Sequence, residues 1–234
     1  MLKLKKIKKI EPLKERVYNI LLESIVESDL SPGEPLTEMT LAKRLGVSKS
    51  PIRDALHHLE GDGLVINIPY KGFYVAKLSV KEFNELMDVR MAIEVFCLEQ
   101  TIESYSDNDI DAFVATMNQA SLCREKGRDR SAHEEHLDFH LKVVEKFGNE
   151  LMLSLYSNNR KKLKRYLRTK VKQFPERLAI SYQHHMDILN SFLQRDKASA
   201  VINLQHHLFD VRDTFLLQKG LKEMSGEATS SIVI

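Results

Sequence analysis

The stretch Leu36–Val75, LTEMTLAKRLGVSKSPIRDALHHLEGDGLVINIPYKGFYV, decides how the rest of the chain is read. Thr37 stands ahead of a short run with Leu41 and Leu45 on one side. Gly46 ends that run, because glycine takes the left-handed conformation after a helix at little cost. A second helix is predicted from near Ser48, with Pro51 tolerable only because it falls in the first turn. Ile52, Ala55, Leu56 and Leu59 have the spacing of its buried side. Two short helices joined by a tight turn containing a glycine form a helix-turn-helix. Gly61 and Gly63 then close the second helix, and Leu64, Ile66 and Ile68 alternate as a strand. Pro69-Tyr70-Lys71-Gly72 turns the chain into another strand with Phe73 and Val75, so a two-stranded wing completes a winged helix-turn-helix.

The exposed side of the second helix offers Lys49, Ser50, Arg53 and His57, all able to donate hydrogen bonds. Donors gathered at an N-terminus suit a helix that enters the major groove of DNA by that end. The bland alternative is a small helical domain whose charges are merely solvated. Turn, donors and wing agree against it.

Composition sets the frame. The 234 residues have room for two modest domains, and 43% hydrophobic with 29% charged is ordinary for a soluble protein. No apolar run approaches a membrane span, and the basic start MLKLKKIKKI lacks the apolar region of a signal peptide. Cys97 and Cys123 are too few for a disulfide framework and fit a reducing compartment. A cytoplasmic protein with no membrane partner is expected. The net charge of +2 argues for nothing, but Lys3, Lys5, Lys6, Lys8 and Lys9 form a basic arm. A solvated tail and a phosphate-touching arm explain it equally well.

Working outward, a helix over Pro12–Asp29 would pack Val17, Ile20, Leu21 and Ile25 behind the helix-turn-helix. The first domain is placed at 1–76, with 77–78 as a linker and Ser79–Glu82 as a capping box that opens a new helix. Helical patterns continue to about residue 219 with starts at Ser106, Ser131, Glu150, Glu176 and Asp196, and 220–234 reads as a flexible tail. The fold class is mainly α: a winged helix-turn-helix followed by an antiparallel bundle of six to seven helices.

The bundle is informative where its buried stripes stop being apolar. The inward series Phe83, Met87, Arg90, Glu94, Cys97 carries a charge pair at i, i+4. A buried pair costs more desolvation than it returns unless it has further partners. Either Arg90 and Glu94 form an internal salt bridge, or Arg90 grips the carboxylate of a ligand. His136 and His140 lie one turn apart, while His185 and His207 sit on apolar stripes of two further helices. A lone histidine there is usually a satisfied core residue. Four that can converge suit zinc, nickel or a similar divalent ion. Asp138 is expected to point away from them, and His133, His184 and His206 are placed on the surface. Arg160 to Lys172 carries eight basic residues with no acid among them, read as a solvated helix face or a phosphate contact.

SPGEPL at 31–36, LAKRLGVSKSPIRDALHHLEGDGLV at 41–65 and Lys71-Gly72 in the wing closely resemble the DNA-binding domain of the GntR family of bacterial regulators. The later segments resemble its FadR-like subfamily, and the likeness spans roughly residues 12 to 217. It implies a homodimer reading a near-palindromic operator, with Lys49, Ser50 and Arg53 on bases or adjacent phosphates, Arg44 on phosphate, and Lys71-Gly72 in the minor groove. It also implies an effector domain in which one Asp and three His hold a metal beside a small organic ligand. His136 then stands where Asp is usual; His140, His185 and His207 match the histidines. A small carboxylic acid between metal and Arg90 would act as effector, with relief of repression as the commoner outcome. The main rival is an enzyme that activates a metal-bound water, and a remoter one is an RNA-binding protein using the 160–172 run.

Overall fold

A computed structural model describes residues 12–224, so the basic arm and the final Ile-Val-Ile lie outside the described residues. The chain divides into two compact units between Lys77 and Leu78. Among the described residues, no helix is long and apolar enough to cross a membrane.

The first unit runs α1 (Leu13–Val26), β1 (Pro35–Leu36), α2 (Glu38–Leu45), α3 (Lys49–Gly61), β2 (Val65–Ile68) and β3 (Gly72–Val75). Gly46 ends α2 at a φ of 66°, as its place after the helix requires. Ile52, Ala55, Leu56 and Leu59 make the buried side of α3. Three expectations are corrected. The wing is a sheet of three described strands in the order β1-β3-β2, because the turn at Gly33 lays Pro35 and Leu36 against Tyr74 and Phe73. The strand after α3 has the opposite phase: Val65 is its buried residue and Ile66 faces solvent, since Leu64 still bonds back to Leu59 as the helix exit. In α1 the stripe is rotated, with Tyr18 buried and Ile20 exposed. Tyr18 stacks on His58 at 4.2 Å and its hydroxyl donates to Asp62, so its ring covers the end of α3.

The second unit is an all-helical bundle: α4 (Val80–Thr101), α5 (Asp107–Glu125), α6 (Asp129–Phe147), α7 (Glu150–Gln173), α8 (Arg177–Leu193) and α9 (Lys197–Met224). Helix α4 packs on α6, α7 and α9, while α5 and α9 cover α8 from two sides. Phe83, Phe113, Phe139, Tyr166 and Phe192 fill the core with their rings in mutual contact or against other core aromatics. Ser106 and Asp109 form a full capping box at α5. Helix α6 starts at Asp129, two residues ahead of the expected Ser131, because Gly127 (φ 65°) and the Arg128 N–H close α5 so tightly that the next helix begins at once.

The box expected at Ser79 is only half made. The Ser79 hydroxyl accepts the Glu82 N–H at 3.0 Å, but Glu82 turns to accept from the Tyr166 hydroxyl of α7. That hydroxyl in turn accepts the Ser79 N–H at 3.0 Å. The basic run is not a single solvated face either. Arg160 pairs with Asp138, Lys164 with Glu134 at 2.6 Å and Lys162 with Glu82 at 3.7 Å, while Arg165 and Arg168 are buried. A 13-residue stretch of α-helix turns through every direction, so Arg160, Lys162 and Lys164 meet acids of α4 and α6.

Tyr166→Phe keeps the ring and removes a hydroxyl that serves two partners. It should cost about 1–3 kcal/mol in urea denaturation, because the Ser79 N–H and the Glu82 carboxylate lose their shared partner; an unchanged midpoint would mean the hydroxyl ties nothing.

Candidate metal centre and nucleic-acid interface

The inward stripe of α4 delivers Arg90 and Glu94 to the middle of the bundle, 2% and 0% exposed. Arg90 Nε donates to Glu94 Oε1 at 2.7 Å, so of the two readings of this pair the salt bridge is present, and the guanidinium is not waiting empty. Glu94 also accepts from the Tyr156 hydroxyl at 2.7 Å and faces His140 Nδ1 at 2.7 Å through its other oxygen. Burial opposes the charge on Glu94, but the Arg90 cation and His140 outweigh it and hold its carboxyl down at about 2. An ionised carboxylate can only accept, so His140 carries its proton on Nδ1 and turns the lone pair of Nε2 inward.

That lone pair meets two more rings. His185 Nε2 lies 2.8 Å from His140 Nε2, and His207 Nε2 lies 3.1 Å from it. The ligating atoms of His140, His185 and His207 all fall within 4.8 Å of one another. Phe139 stacks on His185 at 4.7 Å and fixes its plane. Burial, with Arg90 and neighbouring histidines adding to it, lowers the proton affinity of all three rings and favours the neutral, ligating form. The donor set therefore fits a borderline divalent ion, zinc or nickel among them.

His136 is the exception to the expected set of four. Its Nδ1 lies 2.7 Å from His185 Nδ1, on the far side of that ring from the converging nitrogens. One helical turn before His140, it reaches the back of His185 and not the centre. Asp138 points away, paired with Arg160. His206 is exposed and His184 half-buried, but His133 is buried, which corrects the surface reading. The apolar Ala132 and Leu137 around it carried that signal in the sequence; its position one turn before His136 did too.

A cavity of about 70 Å³ adjoins the three rings. Arg90, His133 and His136 line it together with the triad, and Leu137, Leu167, Val171, Leu178 and Val211 form apolar wall.

In the first unit, Arg44, Lys49, Ser50, Arg53, His57 and Lys71 are all exposed, and Gly72 is half-buried at a φ of 89°. Arg53 is not idle: its Nε and one terminal nitrogen each reach a Glu38 oxygen at 2.8 Å. His57 contacts Glu60 at 3.0 Å and sets its edge on Phe73 of β3. Tyr70 was not singled out from sequence, yet it stands fully exposed at the wing tip with a φ of 64°. A large aromatic inside a Pro-Tyr-Lys-Gly turn was the available clue.

A winged helix with a donor-lined second helix, followed by an all-helical domain, has the architecture of a DNA-binding regulator. The chain matches the model "Bacterial regulatory proteins, gntR family" over residues 13–75 and "FCD domain" over residues 85–210, the second match alone covering just over half of its length. It belongs to the GntR family of transcription regulators, with an FCD domain. Among curated relatives it is similar to the Escherichia coli HTH-type transcriptional repressor RspR, at 24% identity over 87% of this chain and 89% of that one. It is also similar to the Bacillus subtilis gluconate operon transcriptional repressor, at 23% identity over 85% and 83%. Its fold is shared with E. coli McbR/YncC, with a TM-score of 0.77 at 18% identity, covering 90% of this chain and 100% of that one. These families are regulators, so the chain is a transcription regulator and not an enzyme.

Glu94→Leu alone would strand the Arg90 cation in the core and should cost about 3–5 kcal/mol. Adding Arg90→Met should recover part of that loss in equilibrium denaturation; a double variant as unstable as the sum of the two singles would mean that the charges do not depend on each other.

Proposed function

We propose that this regulator is a repressor that works in the cytoplasm as a homodimer on a near-palindromic operator, and that a small carboxylic acid bound beside a divalent metal releases it. The observation that carries the reading is the convergence of three neutral imidazole nitrogens on one cavity in a chain that also carries a donor-lined α3.

On the DNA side, Lys49, Ser50, Arg53 and His57 project from the exposed side of α3, and Ser48 makes no side-chain cap to its first turn. The open N–H groups there suit a phosphate. Arg53 reads a base, and the bidentate grip of Glu38 holds its guanidinium plane steady for that purpose. Arg44 meets the backbone, while Lys71 and Gly72 bring the wing to the minor groove.

On the sensing side, His140, His185 and His207 hold the metal. His136, at the place where the family's pattern has an acid, supports His185 from behind. A divalent ion there supplies a Lewis-acidic centre for a carboxylate oxygen. Glu94 orients His140, and Arg90 keeps Glu94 charged while presenting its own edge to the cavity. The ligand shifts DNA affinity only by as much as it prefers one arrangement of the protein over the other.

Two measurements test the halves separately. Arg53→Ala should weaken operator binding by about 1–3 kcal/mol, and unchanged binding removes Arg53 from the interface. Elemental analysis of protein purified without added metal should find zinc or nickel near one per chain, lost in His140→Ala and His185→Ala but retained in His136→Ala at lower affinity. Less than a tenth of an equivalent of any divalent metal in the native protein, by order of magnitude, would end the metal reading.

A further inference from the structure

The histidine triad is one end of the cavity, and the same helices build a second polar end. On α6, His133 precedes His140 by seven residues; on α8, Arg177 precedes His185 by eight; on α9, Thr214 follows His207 by seven. All six residues line the one cavity. At a rise of 1.5 Å per residue, each outer group stands about 10–12 Å along its helix from the triad. Between the two levels the wall is mostly apolar: Leu137 on α6, Val211 on α9 and Leu167 on α7, with the Ser181 hydroxyl on α8.

The outer end carries its own mark of a missing partner. His133 is 5% exposed, and its Nε2 is buried with no hydrogen-bond partner among the described residues. Buried polar atoms in folded proteins are nearly always paired, so an orphan on a cavity wall points to a ligand atom. Burial, with His136, Arg168, Lys164 and Arg90 adding to it, keeps this imidazole neutral, although Lys164 is paired with Glu134 and Arg90 with Glu94. Arg177 contributes a guanidinium braced by Asp210 of α9. A hydrogen-bonding imidazole beside a guanidinium suits an anionic acceptor.

We propose that His133, Arg177 and Thr214 form a second anchoring subsite, and that the effector is an unbranched dicarboxylate about four to six carbons long. One carboxylate sits at the triad, the methylene chain runs along Leu137, Leu167 and Val211, and the second carboxylate accepts from His133, Arg177 and Thr214. The length follows from the spacing of the two polar levels, less side-chain reach and a hydrogen bond of about 3 Å at each end. The assignment rests on the reading of the triad as the inner anchor for an acid.

Calorimetric titration of the zinc-loaded full-length protein with glutarate, valerate and 5-hydroxyvalerate tests it. Glutarate should bind at least tenfold more tightly than valerate, and His133→Leu and Thr214→Val should each reduce that ratio several-fold. Should His133→Leu fail to fold, as read by its thermal melt, the Thr214→Val ratio decides. Equal affinity for glutarate and valerate, or a ratio untouched by both variants, overturns the second subsite and leaves the inner acid site standing. Tighter binding of 5-hydroxyvalerate than of glutarate overturns the second carboxylate. If none of the three acids binds, the acid-sensing reading of the cavity fails, and this assignment with it.

Discussion

A single buried carboxylate organises the helical domain. Glu94 has no exposed surface, yet it stays ionised because Arg90, Tyr156 and His140 surround it with donors. Removing any charge from water is costly, and this one persists only because every lone pair that matters is engaged. Its consequence reaches the cavity directly. By accepting the hydrogen bond of the His140 Nδ1–H, it leaves the opposite nitrogen bare and aimed at His185 and His207.

Helix α7 ties that chemistry to the start of the domain. Leu167 and Val171 form cavity wall, and the neighbouring Tyr166 holds Ser79 and Glu82 at the N-terminus of α4. Phe83, one turn into α4, stacks on Phe215 at 3.8 Å and touches the Tyr166 ring. Helix α9 gives Val211 and Thr214 to the cavity and Phe215 to that stack. The residues that would feel a ligand are therefore sequence neighbours of those that fix the first turn of α4, two residues beyond the break between the units. Close-packed rings transmit small shifts because they have no slack to absorb them.

Much of this was legible one residue at a time. Gly46 announced the turn, the 52-55-56-59 spacing announced the buried side of α3, and the polar intrusion at Arg90 and Glu94 announced a special place in α4. Misreadings came where a local pattern was asked to decide a global direction. Leu64, Ile66 and Ile68 alternate well, but Leu64 was claimed by the helix exit and the phase inverted. The run at 160–172 looks like one charged face when written as letters; on a helix it divides among acids of different neighbours.

The sequence by itself determined the winged helix, the helical bundle and the presence of histidines at helical spacing on buried stripes, because those follow from short-range periodicity and turn chemistry. It also placed Lys49, Ser50 and Arg53 on the open side of α3. Only the tertiary structure decided which imidazoles meet. A difference of one helical turn sends His136 behind His185 and His140 to the centre, and a residue expected on the surface, His133, ends at the far wall of the cavity. Those outcomes depend on the rotation and depth of α6, α8 and α9, and no single helix encodes them.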